Sequence, residues 1–252
     1  MKVWCLFEQS GTFKNAFKEL GFEAVDIDLK DNFKQTDLKM DLFAEICKAS
    51  NGEKSLFDEI CKDDLVFAFF PCVNFTEKCF LNTRCAGGGM KNYDDLKRIS
   101  YSRASVYNIS NFYALLTQLC EIALKKCFKM VLENPNSQPH FLNLCFPFKP
   151  AISIADRSKY GDYFKKPTNF WFFNFEPQNN EIPLPEYSKG HRLNMSGGKG
   201  GEGKRDKNEL VRWFESEHGI KTTLQEARSL ISPTFARNFI KKFVLEKEQW
   251  QS

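Results

Sequence analysis

The stretch VWCLFEQSGTFKNAFKELGFEAVDID, residues 3 to 28, decides the fold class. Val3 to Phe7 is a short run of strand-forming residues, and Gly11 opens a segment in which Phe13, Ala16, Phe17 and Leu20 recur at helical spacing. Gly21 stops that helix, and Glu23 to Asp28 reads as a second strand. Strand, glycine turn, helix, glycine stop and strand in so short a span make a βαβ unit. Such a unit implies parallel strands joined by a right-handed crossover. The expected class is therefore α/β.

Outward from that unit, Asp41 to Cys47 and Leu56 to Cys61 predict short helices, and Leu65 to Phe70 a core strand stopped by Pro71. Val106 to Cys127 carries a long helical pattern and Lys129 to Glu133 is a further strand. Phe170 to Phe175 predicts another strand, Glu209 to His218 a helix capped by Gly219, and Pro233 to Leu245 a last helix. No internal repeat is present. Two of the strands end in reactive side chains: Cys72 follows Pro71, and Glu133 closes the strand before Asn134-Pro135. The carboxyl end of a core strand is where an α/β enzyme presents catalytic groups. Cysteine is also among the most buried residue types, so the run Leu65 to Cys72 reads equally as plain core.

Composition narrows the class. The chain has 252 residues, 42% hydrophobic and 15% aromatic with 26 phenylalanines, enough for one large domain with a sizeable core. It is too apolar for a disordered chain, and no apolar run approaches the length of a membrane span. The amino terminus lacks the pattern of a signal peptide. Nine cysteines, an odd number without a Cys-x-x-Cys pair, and three scattered histidines suggest neither a disulfide framework nor a metal site. Reduced thiols in a cytoplasm are expected.

The formal charge of +4 is mild, but its distribution is not even. Lys189, His191, Arg192, Lys199, Lys204, Arg205 and Lys207 face only Glu202 and Asp206 in a glycine-rich stretch, a basic loop suited to track a nucleic-acid backbone. Gly198 to Arg205 only superficially resembles a phosphate-binding loop, since no strand precedes it and arginine stands where Ser or Thr belongs. A second basic, glycine-rich segment with Arg84 and Gly87-Gly88-Gly89 directly follows Cys72 and could close over a substrate. A solvated surface loop is the alternative for both.

Further positions suit a cofactor. Gly11 lets the backbone approach a ligand at a helix start with free N–H groups, Asp28 ends the second strand where an acid accepts hydrogen bonds from ribose hydroxyls, and Asp41 follows as a third candidate. A tight turn at Gly11 and helix caps at the acids are the alternatives. Taken in order, Phe7-x-x-Ser10-Gly11-Thr12-Phe13, Gly21-Phe22-Glu23 leading to Asp28, Asp41, Phe70-Pro71-Cys72 and Glu133-Asn134-Pro135 resemble the DNA cytosine-C5 methyltransferase family, closest to its short phage and prophage forms. The resemblance spans about residues 3 to 175.

It implies a Rossmann-like S-adenosylmethionine-dependent methyltransferase fold, mostly parallel with helices on both faces. It places Phe7, Ser10, Gly11, Thr12, Phe13, Asp28, Asp41 and Pro71 at S-adenosyl-L-methionine. Cys72 becomes the nucleophile, Glu133 the acid at the target base, and duplex DNA the partner, with the base flipped out of the helix. Arg84, Lys199, Lys204 and Arg205 become candidate contacts to nucleic acid. Enzymes that methylate exocyclic amino groups place an aromatic residue where Cys72 stands, so the thiol favours carbon 5.

The sequence departs from the family where two arginines usually precede a strand. Tyr160-Gly161 and the strand are kept, but Lys165-Lys166-Pro167-Thr168 fills the arginine positions, leaving Lys166 or Arg157 as substitutes. The expected division is a catalytic core at 1–175, a small basic recognition region at 176–227 and a carboxyl-terminal segment at 228–252 that returns to the core. So short a recognition region leaves other readings open. They are a non-catalytic relative that binds nucleic acid or a protein, and a methyltransferase for RNA or free nucleotide.

Overall fold

The computed structural model describes residues 1–75, 90, 92–136, 140–184 and 209–250, with backbone alone at 209 and 210. The βαβ unit is there: β1 (Lys2–Leu6), α1 (Thr12–Glu19) and β2 (Glu23–Asp28), with β1 and β2 parallel and Val3 opposite Ala24. Gly11 sits at the start of α1 with φ +66, and Gly21 beyond its end has φ +87 and donates its N–H to the Lys18 carbonyl. Both are left-handed conformations that a side chain disfavours.

The chain continues through β3 (Leu38–Lys39), α2 (Leu42–Ser50), β4 (Leu65–Ala68), α3 (Asp95–Lys126), β5 (Lys129–Pro135), α4 (Phe141–Cys145), β6 (Ile152–Ile154) and β7 (Thr168–Phe173). Then come α5 (Glu209–His218), α6 (Leu224–Ser229) and α7 (Pro233–Phe239), which runs on as a π-helical turn at Ile240–Val244. The seven strands form one sheet ordered β3-β2-β1-β4-β5-β7-β6, parallel from β3 to β5 and antiparallel on both sides of β7. From β1 the chain winds outward to β3, then returns to β4 on the other side of β1. The strand order therefore reverses between β1 and β4, where a crevice opens at the carboxyl ends.

Alternation along the strands fills two cores. Trp4, Leu6, Val66, Ala68, Met130 and Leu132 face Leu42 and Ile46 of α2 and Leu116, Leu119 and Ala123 of α3. Val3, Cys5, Leu65, Phe67 and Val131 face Phe13, Ala16 and Phe17 of α1 and Phe235, Ala236 and Phe239 of α7. Helices thus cover both faces, which is why β4 is apolar without a break. Each fully buried phenylalanine contributes roughly 1.5–3 kcal/mol. A third cluster joins Phe164 to Phe214 of α5, Ala227 of α6 and Leu230.

Several elements differ from the sequence expectation. Helix α3 begins eleven residues earlier than Val106, at Asp95, where Asp94 accepts the N–H of Lys97. Its first turns are exposed, so no apolar period marks them; Leu96 is 82% and Val106 62% exposed. Leu56 to Cys61 gives only a 3₁₀ turn at Leu56–Asp58, closed by the Ser55 and Asp58 capping box. The last helix is not uniform, because the N–H of Leu245 reaches back to the carbonyl of Ile240. Among the described residues no helix is long and apolar enough to cross a membrane.

Candidate active site

Six of the expected residues meet in one cavity of about 180 Å³ at the carboxyl ends of β1, β4 and β5: Phe7, Ser10, Pro71, Cys72, Glu133 and Lys166. Its far wall is Ser229, Leu230 and Ile231, from the carboxyl-terminal segment. Strand β4 delivers the thiol. The N–H of Phe69 bonds the carbonyl of Leu6 at 3.0 Å, and the carbonyl of Phe70 accepts Nδ2 of Asn134 at 2.8 Å. Beyond Cys72 the backbone turns back through a bond from Phe75 N–H to the Cys72 carbonyl. The residues flanking Pro71-Cys72 are thus tied to β1 and β5. Burial pushes the Cys72 thiol up; Lys166 opposes that shift and Glu133 adds to it.

Glu133 stands near the end of β5, paired with Phe170 of β7, and is buried. Burial raises its pKa, while Lys166 and Arg157 act in the other direction. Among the described residues its Oε1 has no hydrogen-bond partner; Nη1 of Arg157 lies 3.7 Å away. Arg157 is wholly buried, with Nε donating to Asp162 at 2.6 Å, Nη2 against the same carboxylate, Nη1 within 3.4 Å of Thr168 and the guanidinium stacked on Phe235. Asp162 in turn accepts the N–H of Ser232 at 2.9 Å. This network joins the carboxyl-terminal segment to the cavity. Lys166 donates to the Arg228 carbonyl at 3.4 Å and is the cation that acts on both Cys72 and Glu133.

The other expected residues lie elsewhere. Thr12 lines an adjoining cavity of about 610 Å³ that shares Ser10, Phe33, Leu230 and Ile231 with the first. Its hydroxyl meets Ser10 at 3.0 Å and the Ile231 carbonyl at 3.4 Å. The Phe13 ring is not in either cavity but wholly buried against Phe67 and Phe69. At Gly11 the close approach is to the chain itself, since a Cβ there would stand 3.1 Å from Cβ of Gln35. Asp28 ends β2, its carboxylate accepting the N–H of Lys30 while burial raises its pKa. Asp41 is exposed and caps α2 through the N–H groups of Phe43 and Ala44. Neither acid lines the two cavities. Arg84, Lys199, Lys204 and Arg205 lie outside the described residues.

Glu8 is the residue sequence reading missed. It lines the Cys72 cavity, is 5% exposed, and accepts the N–H groups of Phe13 at 2.8 Å and Lys14 at 3.2 Å. Burial pushes its pKa up to about 7 against those two hydrogen bonds. The available signal was Gly11 itself, which caps α1 without a side chain and leaves the first helical N–H groups in need of an acceptor. Phe7 beside it has φ +60, and its ring packs on Phe43 and Phe70. A bulky residue in that region is strained, as residues at ligand sites often are. Past β5, His140 caps α4 with Nδ1 toward the Leu142 N–H, and burial pushes its pKa down to about 4.

Comparison with models of protein families and with curated proteins finds no match.

Proposed function

We propose that this chain is an S-adenosylmethionine-dependent methyltransferase that methylates carbon 5 of cytosine in DNA through a covalent adduct at Cys72. The observation that carries this reading is the meeting of Cys72, Glu133 and Lys166 in one cavity at the strand-order reversal. The sheet supports it as well. Its order is the doubly wound 3-2-1-4-5-6 with one antiparallel strand inserted, a Rossmann-like arrangement that binds ligands at that crevice.

The residues present fit the cofactor that the resemblance implies. Phe7 and Pro71 give apolar walls, Ser10 a hydroxyl, and Glu8 an acid that has no basic side chain as hydrogen-bond partner among the described residues; Lys14 turns its ammonium to Asp26 and Asp37. Asp28, the acid that the resemblance gives to a ribose, ends β2 outside both cavities. When bound, the cofactor supplies an electrophilic methyl group.

The chain's own residues do the rest. Cys72 sulfur bonds to carbon 6 of the base, and the displaced ring electrons enrich carbon 5 and the nitrogen at position 3. Glu133, whose burial favours the protonated form, donates to that nitrogen. Once carbon 5 carries its methyl group, a solvent base takes its proton, that C–H electron pair restores the ring double bond, the sulfur–carbon bond breaks to release the Cys72 thiolate, and the nitrogen at position 3 returns its proton to Glu133. Lys166 stabilises the thiolate while it exists. Arg157 lies beside the carboxylate, its Nη1 3.7 Å from Oε1, although Lys165 to Thr168 replace the arginine pair.

Incubation with labelled S-adenosylmethionine and mixed-sequence duplex DNA is expected to label cytosine, and Cys72→Ser to abolish labelling. Undiminished transfer in the serine variant refutes the thiol mechanism. A second reading, binding without transfer, draws on the thiol being held above its ordinary pKa. Cofactor binding without transfer to DNA, RNA or dCMP selects it.

A further inference from the structure

Glu8 shares the Cys72 cavity, and the chemistry above gives it no part in the transfer. We propose that Glu8 senses the charge of the methyl donor, giving up a proton when a sulfonium enters the cavity and keeping it when the thioether product does. The inference rests on the methyltransferase reading.

A methyl group passes only between atoms nearly in contact, so the donor sulfur has to enter the cavity that Cys72 lines. Among the described residues, the ionisable groups lining it are Glu8, Cys72, Glu133 and Lys166. Lys166 repels a sulfonium, and Glu133 already has Arg157 at 3.7 Å. Glu8 differs from both, since among the described residues its carboxylate is held by two backbone N–H groups and by no basic side chain's hydrogen bond.

Around Glu8, β1 contributes the buried Cys5 side chain and β2 contributes Asp26, whose charge disfavours ionisation. From α1 come the N–H groups of Phe13 and Lys14, while the Lys14 ammonium points to Asp26 at 2.9 Å and Asp37 at 3.2 Å. Across the cavity stand Cys72, Glu133 and Lys166. In these surroundings the proton is held to about pH 7. An added positive charge favours the ionised carboxylate and releases the proton. The thioether carries no charge on sulfur and leaves the proton in place.

S-adenosylmethionine and S-adenosylhomocysteine differ in that one charge, which makes the test direct. Calorimetric titration of the full chain with each ligand, in buffers of different ionisation enthalpy, is expected to show proton release near pH 7 for the sulfonium and less for the thioether. From pH 6 to 8 the preference for the sulfonium rises about tenfold. In Glu8→Gln the excess release disappears and the preference flattens, while any proton exchanged by the ligand's own amine is retained. Equal release for both ligands in the wild-type chain overturns the inference without any variant, as does a pH-dependent preference that persists in a folded Glu8→Gln. If neither ligand binds, the cofactor reading falls first and this inference with it.

Discussion

Arg157 keeps its whole guanidinium inside the protein, where Asp162, Thr168 and the ring of Phe235 take up its donors and its face. Replacing it leaves Asp162 buried without its cation. Arg157→Gln is therefore expected to cost about 3–5 kcal/mol, read from the urea midpoint. Arg157→Lys keeps the charge but loses the planar fork, so it is expected to fall between the two. Gly11→Ala is expected to cost about 1–3 kcal/mol, because it adds left-handed strain to a contact with Gln35. Unchanged urea stability there would show that the loop carrying Gln35 yields freely. Cys72 and Glu133 were legible because each follows an apolar strand in the sequence. Glu8 was not, since its role depends on helix N–H groups that an acceptor must reach in space.

Among elements, the bond from Asn134 to the Phe70 carbonyl links the ends of β4 and β5 beneath Cys72 and Glu133. Asn134→Ala leaves that buried carbonyl unsatisfied, at about 1–3 kcal/mol. It also frees the thiol from its fixed relation to the acid, so under the proposed function methyl transfer is expected to fall by more than the loss of folded protein explains. Equal losses in both assays would reduce Asn134 to a structural role. Helix α3 shows the opposite balance along one element. Leu96→Lys is expected to stay within about 0.5 kcal/mol of wild type, whereas Leu116→Ala is expected to cost about 2–5 kcal/mol, because Leu96 is exposed and Leu116 is in the core. The same contrast explains what the sequence hid. Periodicity reports a buried face, so it found the packed half of α3 and passed over the half that meets solvent. The βαβ unit, buried on both flanks, was read almost residue for residue.

For the molecule as a whole, two buried groups set opposite responses to acid. His140 is held neutral down to about pH 4, so the unfolded chain takes up that proton first and stability is lost as pH falls from about 6.5 toward 4. Glu8 is the reverse. The folded chain keeps its proton up to about pH 7 and the unfolded chain only to about 4.5, so stability is gained as pH falls through that window. Each amounts to about 3 kcal/mol, so the pair nearly cancels between pH 6.5 and 4.5. Urea midpoints across that range are expected to vary little from this pair in wild type and to drop toward acid in Glu8→Gln. A profile in the variant that matches wild type would remove Glu8 from the account. At this scale the sequence predicted an α/β sheet with parallel strands. It did not show that Ser229 to Ile231 would wall the thiol's cavity, since nothing local to those residues points to strands so far away in the chain. That wall has a consequence for biosynthesis. Cys72 leaves the ribosome well before Leu230, so the nascent chain carries its thiol in a half-built cleft, and the enclosed pocket forms only when the last helix folds back onto the first-made strands.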